Sequence, residues 1–137
     1  MIDLNVVRKD IAEQTIDLRV LNEMDMDQEF FNEVASMYLH QAGELINEFK
    51  SRVHVAERSE VRKIVHALKG ISAGIGAASM ADMCRQLERL EAYHSPKEIT
   101  VMLHELDTIF QETSFQIERL MHDYSIVNSF DPYSVKI

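Results

Sequence analysis

Apolar residues recur at three- and four-residue spacing along most of this chain, which is the pattern of amphipathic α-helices. The first long stretch follows Asp27, a residue type that caps helices, and continues to about Val55. Its apolar stripe consists of Phe30, Phe31, Val34, Met37, Tyr38, Gln41, Leu45, Ile46 and Phe49. The spacing therefore predicts a long helix that buries one face.

Two further stretches begin at serines, which also favour the N-cap position of a helix. The stretch after Ser59 carries an apolar stripe made of Val61, Ile64, Val65, Leu68, Ser72 and Ile75. The stretch after Ser79 carries one made of Met80, Met83, Cys84, Leu87 and Leu90. Each serine is predicted to cap the helix that follows it.

The last long stretch opens with Ser95 and Pro96, and proline is favoured in the first turn of a helix. Its stripe contains Ile99, Met102, Leu103, Leu106, Ile109, Phe110, Phe115, Ile117, Leu120 and Met121. A further helix is predicted within residues 3–22. The end of the chain, residues 128–137, contains an Asp-Pro pair and is predicted to be extended or disordered.

Four long amphipathic helices with short connections pack most simply as an antiparallel bundle. We therefore predict an all-α fold, an antiparallel four-helix bundle with an additional N-terminal helix. The scarcity of glycine (4) and proline (2) among 137 residues supports this class. A single domain is expected over residues 1–127, with its core at about 27–124.

Composition narrows the partners and the compartment. A net charge of −9 disfavours binding to nucleic acid. With Cys84 as the single cysteine, no intramolecular disulfide can form. The N-terminal sequence is not typical of a secretory signal, and the longest uncharged run, residues 70–81, is too short to span a bilayer. A cytoplasmic protein that does not bind membranes is expected.

His66 falls outside the apolar stripe of its helix and is predicted to face solvent, together with Arg62, Lys69, Gly70 and Ala73. Glycine in a helix interior costs about 1 kcal/mol relative to alanine, so its use here needs a reason. Gly70, Ala73, Gly74 and Gly76 would leave a surface poor in side chains, which the backbone of a partner could approach.

A neutral imidazole is a good nucleophile near neutral pH, and the residues alone place no obvious acid, base or second histidine to activate it. A phosphoryl group on His66 would benefit from the charge of Lys69. The pattern favours a carrier of a chemical group, whose catalytic apparatus a docking partner supplies.

At these residues the chain resembles the histidine phosphotransfer (HPt) domain family. The matching positions are His66, Leu68, Lys69, Gly70, Ser72, Gly76 and Cys84, followed by the sequence CRQLE at 84–88. The resemblance covers most of residues 16–122. It implies that His66 accepts a phosphoryl group from the aspartate of a receiver domain, usually on the outer ring nitrogen, and passes it to another receiver.

The resemblance also implies roles for neighbouring residues. Lys69 would neutralise the phosphate, Gly70 would make room for it, and Ser72 would support the site. Where many members carry glutamine, this chain has Glu88, which could orient the imidazole or repel phosphate. A docking surface of Arg62, Ala73, Gly74, Gly76 and Arg85 is expected.

The partners that the resemblance implies are receiver domains and a hybrid sensor histidine kinase. Mg²⁺ would be held by the receiver, so no cofactor is expected on this chain. A monomer without independent catalytic activity is expected. Arg62, Lys63, Lys69, Arg85 and Arg89 could form a basic collar that attracts the acidic site of a receiver, or could be scattered solvated charges.

Two other functions stay open. The bundle could be a non-catalytic interaction module that docks a receiver or a helical partner without being phosphorylated. It could also bind metal, because Glu91 and His94 form a Glu-x-x-His sequence of the kind found in di-iron bundles. That architecture needs a second such pair, and no other histidine here has a glutamate three positions before it.

Overall fold

The computed structural model describes residues 15–55, 57–89 and 95–129. Every regular element in these ranges is an α-helix, as predicted. The helices are α1 (Leu18–Met24), α2 (Gln28–Arg52), α3 (Arg58–Gly74), α4 (Ala78–Arg89), α5 (Pro96–His122) and α6 (Ser125–Asn128). None of these helices is both long and apolar enough to cross a membrane.

The long helices contact one another in sequence around a shared core. Helix α3 packs against α2 and α4, and α5 packs against the same two helices. The short helices α1 and α6 contact each other. This arrangement is a helical bundle, and the antiparallel order of its helices stays a prediction.

The cap predicted at Asp27 is confirmed, and Ser95, which was predicted to open the last long helix, caps that helix. The side chain of Asp27 accepts a hydrogen bond from the Phe30 amide at 2.7 Å, and that of Ser95 accepts one from the Glu98 amide at 3.1 Å. Each bond satisfies an amide that the first turn of a helix leaves without a backbone partner.

The caps predicted at Ser59 and Ser79 are wrong, because both helices begin earlier. The carbonyl of Glu57 already accepts from the Val61 amide at 3.2 Å, so helical bonding starts before Ser59. The carbonyl of Ala77 accepts from the Ala81 amide at 3.0 Å in the same way. Both serines therefore lie inside the first turn.

The buried face of α2 differs from the apolar stripe read from the sequence. Phe30 and Met37 are 52% and 61% exposed, and Gln41 is also exposed. The face that packs consists of Phe31, Ala35, Tyr38, Ala42, Ile46 and Phe49. The buried face thus includes two alanines, Ala35 and Ala42, that the apolar stripe did not contain. In α5, Phe115 is likewise exposed, and the buried Thr113 lies in the core.

Two further predictions concern the ends of the chain, namely a helix within residues 3–22 and a tail at residues 128–137. Helix α1 lies partly within the range 3–22, whose first residues, 3–14, fall outside the described part of the chain. Asn128 is the last residue of α6, and residues 130–137 lie outside the described ranges, so the extended or disordered tail stays a prediction. Tyr124, just before α6, packs its ring on Phe31 and donates its hydroxyl to the Leu21 carbonyl.

Candidate functional site

His66 lies on the exposed side of α3, as its position on the helix predicts. Its side chain is 75% exposed, whereas the opposite face of α3 is buried in the core. That buried face consists of Val61, Ile64, Val65, Leu68 and Ser72. An imidazole that stands in solvent on a helix anchored in this way is accessible to a second molecule.

Glu88 reaches His66 from the neighbouring helix α4. Its Oε1 lies 2.7 Å from Nδ1 of His66, and its Oε2 lies 2.6 Å from Nζ of Lys69. One carboxylate therefore holds both the imidazole and the cation. Spacing along the chain gave no such partner, because Glu88 is 22 positions from His66, but the family resemblance had named Glu88 as a residue that could orient the imidazole.

The contacts of Glu88 decide which ring nitrogen of His66 carries the proton. The hydrogen bond from Lys69 lowers the pKa of the Glu88 carboxyl, and the bond from His66 adds to this against an opposing effect of burial. An ionised carboxylate only accepts hydrogen bonds, so Nδ1 of His66 must donate. In the neutral ring, Nε2 then carries a lone pair and no proton.

A cavity of about 400 Å³ opens beside the imidazole. Its lining consists of Arg62, Lys63, His66, Ala67 and Glu88. Arg62 and Lys63 precede His66 by four and three positions, which places them on the adjacent turn of α3. The cavity therefore brings two cations to the same surface as the free ring nitrogen.

The surface on the other side of His66 is bare. Gly70, Ala73 and Gly74 are exposed, as predicted. A Cβ atom added at Gly70 or Gly74 would meet nothing within 4 Å. This stretch of α3 presents its backbone almost directly to solvent, so the fold itself does not require glycine at either position.

The prediction that Gly76 belongs to this exposed surface is wrong. Gly76 is buried in the turn between α3 and α4, with a φ of +75° that favours glycine. An added Cβ would lie 2.8 Å from the Asp17 carbonyl oxygen and 3.2 Å from the Val20 Cβ atom. Gly76 therefore allows the segment that begins α1 to pack against this turn.

Ser72 is turned away from His66 and lies in the core. It is fully buried, and its hydroxyl bonds to the Tyr38 hydroxyl at 2.8 Å. Burial raises the pKa of Tyr38 to about 12, although the bond to Ser72 acts in the opposite direction. Ser72 thus joins α3 to α2.

Arg85 and Cys84 lie on the helix that carries Glu88. Arg85 is exposed, and its guanidinium forms an ion pair with Asp82. Cys84 is buried, as predicted, and burial raises the pKa of its thiol to about 12. A thiol in this environment is unreactive and fills space in the core.

No group of three or more metal-ligating side chains occurs in the ranges 15–55, 57–89 and 95–129. Glu91 and His94, on which the metal hypothesis rested, lie outside these ranges. The described residues therefore provide no support for a di-iron site.

Comparison with known proteins finds a match over the part of the chain that contains this site. A family model described as "Hpt domain" matches residues 33–122, which include His66, Lys69, Gly70 and Glu88. The match begins within α2 and ends at the last residue of α5. Searches of curated proteins and of solved structures found no match.

Proposed function

The chain belongs to the Hpt domain family, whose members take part in phosphotransfer in two-component signalling, and on this basis we propose that His66 is its phosphoryl carrier. His66 accepts the group from a phosphorylated aspartate of one receiver domain and delivers it to the aspartate of another. The observation that carries this proposal is the exposed imidazole whose Nδ1 lies 2.7 Å from Glu88.

The transfer step follows from the protonation state of the ring. The lone pair on Nε2 attacks the phosphorus of the aspartyl phosphate and forms an N–P bond. The P–O bond to the aspartate breaks, and the aspartate leaves as a carboxylate with that bonding pair. The proton on Nδ1 stays in its bond to Glu88, so the phosphorylated imidazolium forms without an external base.

Glu88 and Lys69 act together in this step. The imidazole gains positive charge as the N–P bond forms, and the carboxylate 2.7 Å from Nδ1 stabilises that charge. Lys69 holds the carboxylate in place and lowers its pKa. Glutamate at position 88 therefore orients the ring, and Lys69 limits the repulsion between Glu88 and an incoming phosphate.

The bare surface around Gly70 and Gly74 explains how a receiver reaches the ring. The aspartyl phosphate of a receiver is attached to its own backbone by a short side chain, so the two proteins must approach closely. Missing side chains on α3 allow that approach. Mg²⁺ bound to the receiver would neutralise phosphate charge during transfer, and this chain needs no cofactor of its own.

The experiment uses receiver domains from the same organism, each phosphorylated with ³²P and mixed with the full chain. We expect label that is acid-labile and base-stable on the wild-type protein. His66→Gln should take up none, whereas His104→Gln, which changes an exposed histidine of α5, should be labelled normally.

Label on His66→Gln would reject His66 as the acceptor. A receiver that binds the wild-type chain but transfers no label, and binds His66→Ala equally well, would instead favour the non-catalytic interaction module. Circular dichroism of each variant shows whether a loss of label comes from a loss of fold.

A further inference from the structure

We propose that Arg62 and Lys63, on the turn of α3 before His66, form the binding site for the phosphoryl group, and that Lys69 serves Glu88 instead. This assignment rests on the proposed role of His66 as acceptor. It differs from the role expected for Lys69 from the family resemblance, in which Lys69 neutralises the phosphate directly.

The direction of helical side chains is the first argument. In an α-helix the Cα–Cβ bonds tilt toward the N-terminus, so a side chain lies over the preceding turn. The His66 ring therefore leans toward the turn that carries Arg62 and Lys63, and the Lys69 side chain leans in the same direction, where Glu88 binds it. The cavity of about 400 Å³ agrees, because its lining contains Arg62, Lys63 and His66. Among the described residues, Lys69 lies outside that lining.

The use of the charges is the second argument. Nζ of Lys69 lies 2.6 Å from Oε2 of Glu88, and the Lys69 side chain is only 27% exposed. In contrast, Arg62 and Lys63 are exposed, and no carboxylate in the described part of the chain pairs with either. Two exposed cations that pair with no described carboxylate, beside an exposed nucleophile, are suited to receive an anion.

The third argument concerns Glu88, whose carboxylate also lines the cavity. An uncompensated carboxylate would repel a phosphoryl dianion. Both oxygens of Glu88 are bonded, one to the Nδ1 of His66 and one to Lys69, so its charge is already balanced. The charge that remains in the cavity is that of Arg62 and Lys63, and it is positive.

The experiment loads His66 with phosphoramidate, a small donor that needs no docking surface. The imidazole Nε2 attacks phosphorus, the P–N bond breaks, and ammonia leaves with its bonding pair and its protons. The product is followed by ³¹P NMR in the wild type, in Arg62→Gln/Lys63→Gln and in a control, Lys97→Gln/Arg119→Gln. The control removes the same charge from exposed positions of α5.

Two results are expected. The initial rate of loading in Arg62→Gln/Lys63→Gln falls about fivefold at low ionic strength, and the difference shrinks in high salt. The ³¹P titration midpoint of the phosphohistidine rises in the same variant, because nearby cations stabilise the dianion. Neither quantity changes in the α5 control. Circular dichroism of each variant must show an intact fold, because unfolding would also take the cations away from the phosphoryl group and raise the midpoint.

The outcomes separate the two proposals. If the wild type never forms phosphohistidine while remaining folded, both proposals fail. If the wild type is loaded but Arg62→Gln/Lys63→Gln has the rate and titration midpoint of the α5 control, only the phosphoryl site is overturned. A larger rise in the midpoint for Lys69→Gln than for the Arg62–Lys63 pair would return that role to Lys69.

Discussion

Lys69 and Glu88 lie 2.6 Å apart, Nζ to Oε2, across the contact between α3 and α4. The pair is mostly shielded from solvent, with 27% and 17% of the two side chains exposed. Because the same carboxylate also holds Nδ1 of His66, the cation, the anion and the nucleophile behave as one unit. Four predictions follow from this unit and from the packing around it.

Glu88→Gln should lower stability in a pH-dependent way. The folded-state pKa of Glu88 lies below its ordinary value of 4.5, so the unfolded chain binds more protons as the pH falls. The stabilisation is therefore complete above about pH 5 and is lost as the pH falls through the folded pKa. Urea unfolding of both proteins between pH 7 and pH 3 measures this difference.

The control for the Glu88→Gln variant removes Lys69, the main partner of Glu88. In a Lys69→Gln background, Glu88→Gln should change the pH dependence of the free energy of unfolding much less. The reason is that the hydrogen bond from Lys69 is the largest cause of the lowered pKa of Glu88. A difference between wild type and Glu88→Gln that stays constant from pH 7 to pH 3 would contradict the prediction.

Gly76→Ala should destabilise the protein by about 1–3 kcal/mol, because alanine is strained in the left-handed region. Its Cβ would also lie 2.8 Å from the carbonyl oxygen of Asp17. The amide of Asp17 donates a hydrogen bond to the Gly76 carbonyl, so the two segments cannot easily move apart. Gly74→Ala is the matched control, since a Cβ there meets nothing within 4 Å. Equal midpoints of thermal unfolding for the two variants would show that the turn does not require glycine at position 76.

Gly70→Ala should separate stability from function. Alanine removes the entropic cost of glycine in a helix, so the free energy of unfolding should rise by about 0.5–1 kcal/mol. The added methyl group stands on the approach surface, so transfer from a receiver should slow severalfold while loading by phosphoramidate stays unchanged. Gly43→Ala in α2, where a Cβ also meets nothing, should stabilise without slowing transfer.

The buried bond between Tyr38 and Ser72 should appear as coupling in a double-mutant cycle. Tyr38→Phe and Ser72→Ala each leave one buried hydroxyl without a partner, which costs about 1–3 kcal/mol. The double variant should cost less than the sum of the two single variants, because no unsatisfied hydroxyl remains. Urea unfolding of the four proteins tests this, and strict additivity would argue against the bond.

Features that depend on neighbours along the chain were predictable from sequence. The caps at Asp27 and Ser95 and the exposure of His66 all follow from local spacing. Features for which several residues of similar type are available along the chain could not be predicted in this way. Ser59 and Ser79 are residue types that favour N-caps, but each helix begins before them. Phe30 and Phe31 are both apolar, yet only Phe31 is buried.

The sequence by itself determined a set of amphipathic helices and an imidazole on the outer face of one of them, because both depend on a period of 3.6 residues. Tertiary structure alone decided what surrounds that imidazole. Packing of α4 against α3 brings Glu88 to His66 and Lys69, and packing of α1 makes Gly76 a buried turn. Contacts between distant segments depend on how whole helices pack, and no local pattern encodes that.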